Sequence, residues 1–329
     1  MLKKLIFILV LPLLVFGCGD EEQPPSAPAQ APIWEEAFDT TGAGSMSGVW
    51  GSSPDDVFVV GGDDQRGVVF HFDGTDWTEM SVPQVPLLVW VFGFGPDNVY
   101  AVGIGGGAIH YDGSQWSALD TGTTTDLWGV FGLSSDEVWI VGGSVFEGDP
   151  LILRYDGSTF TPVSVDPSQN PTGAHALFKV WGIGGKLFAV GQRGLILERI
   201  GEEWVNAPAG AEANDDFVSL WGTSEDNIVA VGGRANARIA TFDGQSWTTV
   251  APSASGGINA VFMTAPDQAV IGGVFGFGGT FDVATAEVTS EDTTAALDIH
   301  AIWGDGAGKF YAVGGNFRSP FQGITLVRR

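Results

Sequence analysis

"VFVVGGDDQRGVVFHFDGTDW", Val57 to Trp77, is the stretch whose reading decides the fold. Its double glycine has two readings. A phosphate-cradling loop needs glycines between a strand and a helix, so that the helix N-terminus meets the anion. Punctuation between strands needs a second strand instead. "GVVFHF" supplies it, with β-branched and aromatic residues of strand type, and Asp73-Gly74 follows as a hairpin signal. "VFVV" is a continuous apolar run, suited to burial on both faces. "GIGGGAIHYDG", residues 103 to 113, has the same strand context. No helical period follows either glycine run, so the nucleotide-loop reading fails.

The stretch recurs. Forty-nine glycines and twelve tryptophans in 329 residues invite a repeat search. Each copy has an apolar strand A ending in Trp-Gly or a variant, a polar turn, and a strand B of four apolar residues and glycine. A variable loop, a strand C ending Phe/Tyr-Asp-Gly and a strand D opening on an aromatic follow. The strand-B glycine is read at Gly61, Gly103, Gly142, Gly191, Gly232, Gly272 and Gly314, spacings of 42, 39, 49, 41, 40 and 42. These match four-stranded propeller blades. The strand-A aromatic is Trp50, Phe92, Phe131, Trp181, Trp221, Phe262 and Trp303. Asp-Gly at 73–74, 112–113, 156–157 and 243–244 predicts two-residue hairpins with both central residues at positive φ.

The seventh copy lacks a strand D: "IHAIWG", "FYAVGG" and "GITLVRR" complete A, B and C, and the sequence stops. "IWEEAFDTT", Ile33 to Thr41, resembles the strands "DWTEMSVPQ" and "QSWTTVAPS", with Trp34 in the place of Trp77. The expected fold is therefore all-β: a seven-bladed β-propeller over residues 33–329, of four-stranded blades, with the last blade closed by the N-terminal strand.

Upstream, Lys3 and Lys4 precede a 12-residue apolar run, Leu5 to Phe16, too short to span a membrane and suited to a signal peptide. It ends in "VFGCGD", which resembles the lipobox of bacterial lipoproteins, so Cys18, the chain's only cysteine, is the expected lipidation site. Residues 1–17 read as the signal peptide. Residues 18–32, including "DEEQPPSAPAQA", read as lipidated cysteine and disordered Pro/Ala-rich tether. The net charge of −25 argues against nucleic acid, anionic headgroups and polyanionic glycans as partners.

"VFVVGG…FHFDGTDW" and "IVAVGG…ATFDGQSW" resemble the kelch class of β-propeller. "WGSSPDDV" and "LWGTSEDN" resemble repeats of lipoproteins from myxobacteria and their relatives. The similarity covers nearly all of the mature chain, and its motifs are structural. Copies two and four depart from it, with Ile104 after Gly103 and Gln192 after Gly191, and copy six lacks the Asp-Gly turn. Galactose oxidase is a kelch-type enzyme whose copper site needs a Tyr–Cys crosslink. The commitment of Cys18 to lipid argues against that activity here.

Catalytic signatures are lacking. His71 and His110 share a repeat position that elsewhere holds Arg154 or Thr241, a polar edge position rather than a metal site, and neither a zincin nor an EF-hand pattern occurs. Most carboxylates, such as Asp55, Asp73, Asp97 and Asp112, fall in turns that their side chains support. No cofactor, metal site or catalytic residue is assigned.

Strand direction alternates, so the short A–B and C–D turns share one face. The variable B–C and D–A loops share the other, where recognition is expected. Candidate contacts are Asp63, Asp64 and Arg66 in the first copy, Phe146 and Glu147 in the third, and Arg193 in the fourth. Arg234 and Arg238 in the fifth, Phe275 and Phe277 in the sixth, and Phe317 and Arg318 in the seventh complete the set. For any one of them, packing on a neighbouring blade is the competing role, Phe275 and Phe277 above all. The favoured reading is a monomeric, lipid-anchored extracytoplasmic module that binds a protein or glycan at the bacterial outer membrane or cell surface, with the periplasmic side open. The alternatives are a structural or assembly lipoprotein of the cell envelope and, behind it, a propeller hydrolase or lyase.

Overall fold

A computed structural model describes residues 33–252 and 256–329. The signal run, Cys18 and the tether lie outside the described residues. The chain forms seven antiparallel sheets of four strands. In blade 1, strands A to D are Ser45–Ser53, Asp56–Gly62, Gly67–Phe72 and Trp77–Met80. The next five blades repeat the order, and blade 7 breaks it as expected. Its strand D is Trp34–Glu36, paired antiparallel with the C-terminal strand Gln322–Arg328, with Trp34 opposite Arg328. The N-terminal strand thus closes the last blade.

The core lies between blades rather than within them. Phe58, Val60 and Val69 of blade 1 pack against Val91, Val99 and Ala101 of blade 2, all fully buried. That is why strand B is apolar throughout: both of its faces meet a neighbouring sheet.

Counted from the residue that pairs with the strand-B glycine, each strand A carries a β-bulge at its second residue. The first residue pairs with the strand-B glycine, as Met46 with Gly61 and Leu88 with Gly103, and the third pairs with the residue before that glycine. A Cβ on the glycine would overlap the carbonyl oxygen just before the strand-A core residue: Ser45 for Gly61, Leu87 for Gly103, Asp298 for Gly314. The repeated glycine is thus a close-approach residue. In blade 6 the partner of Ile258 is Gly273, not Gly272, which pairs with Ala260. The sequence spacing points to Gly272, one residue early, because both positions are glycine.

The turns that leave strand B alternate between two kinds. Blades 1, 3, 5 and 7 leave strand B through a second glycine at positive φ: Gly62, Gly143, Gly233 and Gly315. Blades 2, 4 and 6 use a tight turn instead, with Gly105, Arg193 or Phe275 in the left-handed region and a glycine next. The backbone N–H of each left-handed residue donates to a carboxylate at the start of strand A of the next blade or just before it: Asp126 at 2.9 Å, Asp216 at 3.0 Å and Asp298 at 2.7 Å. The departures noted in copies two and four are therefore regular, and copy six shares them.

The C–D connections also differ from expectation. Phe72 pairs with Trp77, so the loop is four residues, Asp73 to Asp76, and of the Asp-Gly pair only Gly74 has positive φ. The Asp73 carboxylate accepts the N–H groups of Thr75 and Asp76, both at 2.9 Å, which favours the longer turn over a two-residue one. Gly74 sits against Asp55 of the A–B turn, while the Leu87 N–H on the D–A side donates to the Asp63 carbonyl of the B–C loop. The two loop sets thus occupy opposite faces.

Candidate functional site

The seven A strands surround a central channel. The bulge turns their second residues, Ser47, Val89, Trp128, Phe178, Val218, Asn259 and His300, into a ring around a cavity of about 450 Å³ on the variable-loop face. Three positions further on lies the ring of strand-A aromatics. Successive centroids from Trp50 to Phe92, Phe131, Trp181, Trp221, Phe262 and Trp303 are 4.4–6.5 Å apart. Aromatic pairs at such distances pack favourably. They fill the channel towards the short-turn face, leaving a void of only about 50 Å³ among them. The cavity is a well with a floor.

Two side chains at the third strand-A position make that floor. The other blades have Gly48, Gly129, Ser219, Ala260 and Ala301 there. Blade 2 has Trp90 and blade 4 has Lys179, and Lys179 Nζ lies over the Trp90 ring. Lys179 is only 5% exposed, and among the described residues it has no hydrogen-bond or carboxylate partner. Burial pushes its amine well below the usual lysine range. Ser47 is 3% exposed, and its hydroxyl also has no partner among the described residues.

The other polar groups of the well are satisfied. Trp128 Nε1 donates to the Gly143 carbonyl at 2.9 Å, and Asn259 Nδ2 to the Ile299 carbonyl at 3.1 Å. His300 lies 3.0 Å from the Gly315 carbonyl through Nε2 and stacks on Phe317. Burial lowers its pKa, against the smaller opposing effects of that hydrogen bond and of Asp298. Arg234 pairs with Asp216, whose other oxygen accepts the Arg193 N–H.

The structure sorts the candidate contacts by what they touch. Asp63 accepts the N–H groups of Gln65 and Arg66, and Arg66 pairs with Glu79 of its own blade at 2.9 Å. Asp64, Glu147 and Arg318 are exposed. Arg193 donates to the Gly173 carbonyl at 2.8 Å, and Arg238 to Asn214 and the Ala237 carbonyl. Phe277 packs against the core between blades 5 and 6, taking the packing role that competed with contact. Phe146 and Phe275 stand free, 86% and 83% exposed, and Phe317 leans over the well at 42%. The structure brings Arg234 and Phe317 to the well together with His300.

Sequence reasoning missed Lys179, Ser47, Trp90 and Trp128. A signal existed. Aligning the copies on strand A shows Lys179 and Trp90 as the two large residues at a position otherwise held by Gly, Ser or Ala. His71 and His110 bond to Asp56 and Asn98 of their own blades, at 2.6 and 2.8 Å. Among the described residues, no group of three His, Cys, Asp or Glu side chains is placed to hold a metal ion.

No protein-family model and no curated protein matches the chain. Solved structures do. YCF48 from Cyanidioschyzon merolae is similar over 90% of this chain and 98% of its own, with 14% identity and a TM-score of 0.67. A structure of YCF48 bound to D1 peptide gives 13% identity, coverage of 91% and 99%, and 0.67. The WD40 propeller domain of Doa1 gives 9% identity, coverage of 90% and 97%, and 0.67. At these identities the likeness is one of fold, and that fold is the seven-bladed β-propeller seen in the strand pairing.

Proposed function

We propose that the variable-loop face binds a protein partner, with Phe146, Phe275 and Phe317 as its apolar anchors. The observation that carries this reading is Phe275. It is a bulky residue held at φ 56°, where blade 2 has Gly105, and its side chain is 83% exposed. A left-handed non-glycine residue costs about 1–2 kcal/mol. Here the cost holds an aromatic ring in solvent, and the Asp298 carboxylate pins the backbone that presents it. Phe146 and Phe317 add two more exposed rings on loops of the same face. On the opposite face the exposed large apolar side chains include Phe94, Leu133 and Ile200, and the one aromatic among them, Phe94, packs on Phe92 and Tyr100. Exposed aromatics on loops of a rigid scaffold are favoured interface anchors. One of the similar propellers is described as bound to a peptide, which supports a polypeptide ligand over a glycan.

The signal-like run and Cys18 support a lipid-anchored protein acting outside the cytoplasm, and the kelch-like repeat supports a binding scaffold. The test is capture of envelope proteins by wild type and by the triple variant Phe146→Ser, Phe275→Ser, Phe317→Ser, beside a glycan array. The expected result is protein captured by wild type and lost from the variant. Undiminished capture by the variant refutes the assignment of these anchors. Binding to glycans alone refutes the protein reading.

A further inference from the structure

The well holds a second feature that protein docking on the rim does not use. Lys179 on its floor makes no hydrogen bond or ion pair among the described residues, and Ser47 in the ring around it has a buried hydroxyl without a partner. Both face a cavity of about 450 Å³, a volume within the range of small-molecule sites. Buried polar groups in folded proteins are nearly always paired, and those left unpaired mark a missing ligand or water.

The remaining charges of the well bear on what that ligand is. Arg234 is paired with Asp216, Asp298 accepts the Phe275 N–H, and His300 bonds the Gly315 carbonyl. Of the two basic side chains lining the well, only Lys179 lacks a carboxylate. Both groups can donate, so the matching head group is an acceptor with negative charge. Between floor and rim the walls are apolar, with Val89, Trp128, Phe178 and Val218 among them. They suit an apolar body of a few carbons or one ring.

We propose that the well binds a small carboxylic acid with an apolar body, its carboxylate against Lys179 Nζ and Ser47 Oγ and its body along Trp90, Trp128 and Phe178. The carboxylate supplies the counter-charge that the fold withholds from Lys179. Burial makes the charged form of the amine costly, and the carboxylate's charge offsets that cost. The inference does not rest on the protein-docking reading, since the two use different side chains and different probes.

The test is isothermal titration of the full-length chain with 3-phenylpropionate, 3-phenylpropan-1-ol and 3-phenylpropylamine, which share a body and differ in head group. The acid is expected to bind about tenfold or more tightly than the alcohol, as suits a hydrogen bond to a charged group. The amine is expected to bind no better than the alcohol. Lys179→Met should abolish the acid preference, and Ser47→Ala should weaken the acid about threefold or more. Circular dichroism checks that the variants fold. If Lys179→Met does not fold, the head-group series and Ser47→Ala decide. No binding of the acid, an alcohol or amine that binds as tightly, or a folded Lys179→Met that keeps the preference overturns the proposal.

Discussion

Replacing Trp34 tests the closure of the ring. Trp34 lies on the three-residue strand that completes blade 7, is 2% exposed, and donates through Nε1 to Glu291 at 2.8 Å. Glu291 belongs to the outer strand of blade 6 and also accepts from Arg328 at 2.6 Å, so one carboxylate joins the first and last strands of the propeller to the neighbouring blade. Trp34→Ala removes the ring and its hydrogen bond. A buried Trp→Ala change costs about 3–5 kcal/mol. Trp34→Phe keeps most of the apolar surface and loses only the charge-assisted bond, for about 1.5–3 kcal/mol. Ile33→Ala, next door and 53% exposed, serves as the control within about 0.5 kcal/mol. Urea unfolding followed by circular dichroism gives the ordering. The expected rank is Trp34→Ala worst, Trp34→Phe intermediate and Ile33→Ala near wild type. A Trp34→Ala midpoint equal to that of Ile33→Ala would mean that the ring does not depend on this strand, and the closure argument would fail.

Three further outcomes follow. Phe275→Gly should leave stability unchanged or raise it by up to about 1–2 kcal/mol, because it relieves the left-handed backbone and loses little burial, while partner capture falls; a clear loss of stability in urea would show that the ring packs. Lys179→Met should stabilise the fold by about 1–3 kcal/mol at neutral pH, since it removes a buried polar group without a partner. Because the folded amine titrates below the unfolded value of 10.5, the unfolded chain holds its proton longer; wild-type stability should therefore rise with pH towards 10.5, and the variant should lose that slope. The turn aspartates carry the acid limit. Asp112 is lowered to about 2, first by the Ser114 hydroxyl and then by the Gln115 and Ser114 N–H groups, against 3.8 unfolded. Its contribution is present above about pH 4 and lost as pH falls towards 2, so urea midpoints measured across that interval should drop, and less so in Asp112→Asn.

The blade count, strand order and closure were legible because they rest on period and punctuation. Trp34 could be matched to Trp77 by sequence alone, since both open an outer strand. The register of blade 6 was not legible: Gly272 and Gly273 are alike as letters, and only the pairing of Ile258 separates them. The four-residue C–D loop was missed because the asparate side chain's own hydrogen bonds outweigh the dipeptide preference. The well was hidden for a further reason. Its lining comes from one or two residues of each of seven strands spread over the chain, so no local window contains it. The loop face could be named in advance, but whether an arginine there is free or pinned, as Arg238 is by Asn214, depends on contacts between loops distant in sequence.

The alternation of B–C turns has a consequence for stoichiometry. Tight turns occupy blades 2, 4 and 6 and glycine-pair turns blades 1, 3, 5 and 7. An odd count cannot close such a pattern, so blades 7 and 1, both of the second kind, meet at a seam. The ring therefore has no rotational repeat on its variable face. A partner that reads this face finds one orientation and not seven, and each propeller presents a single place for it.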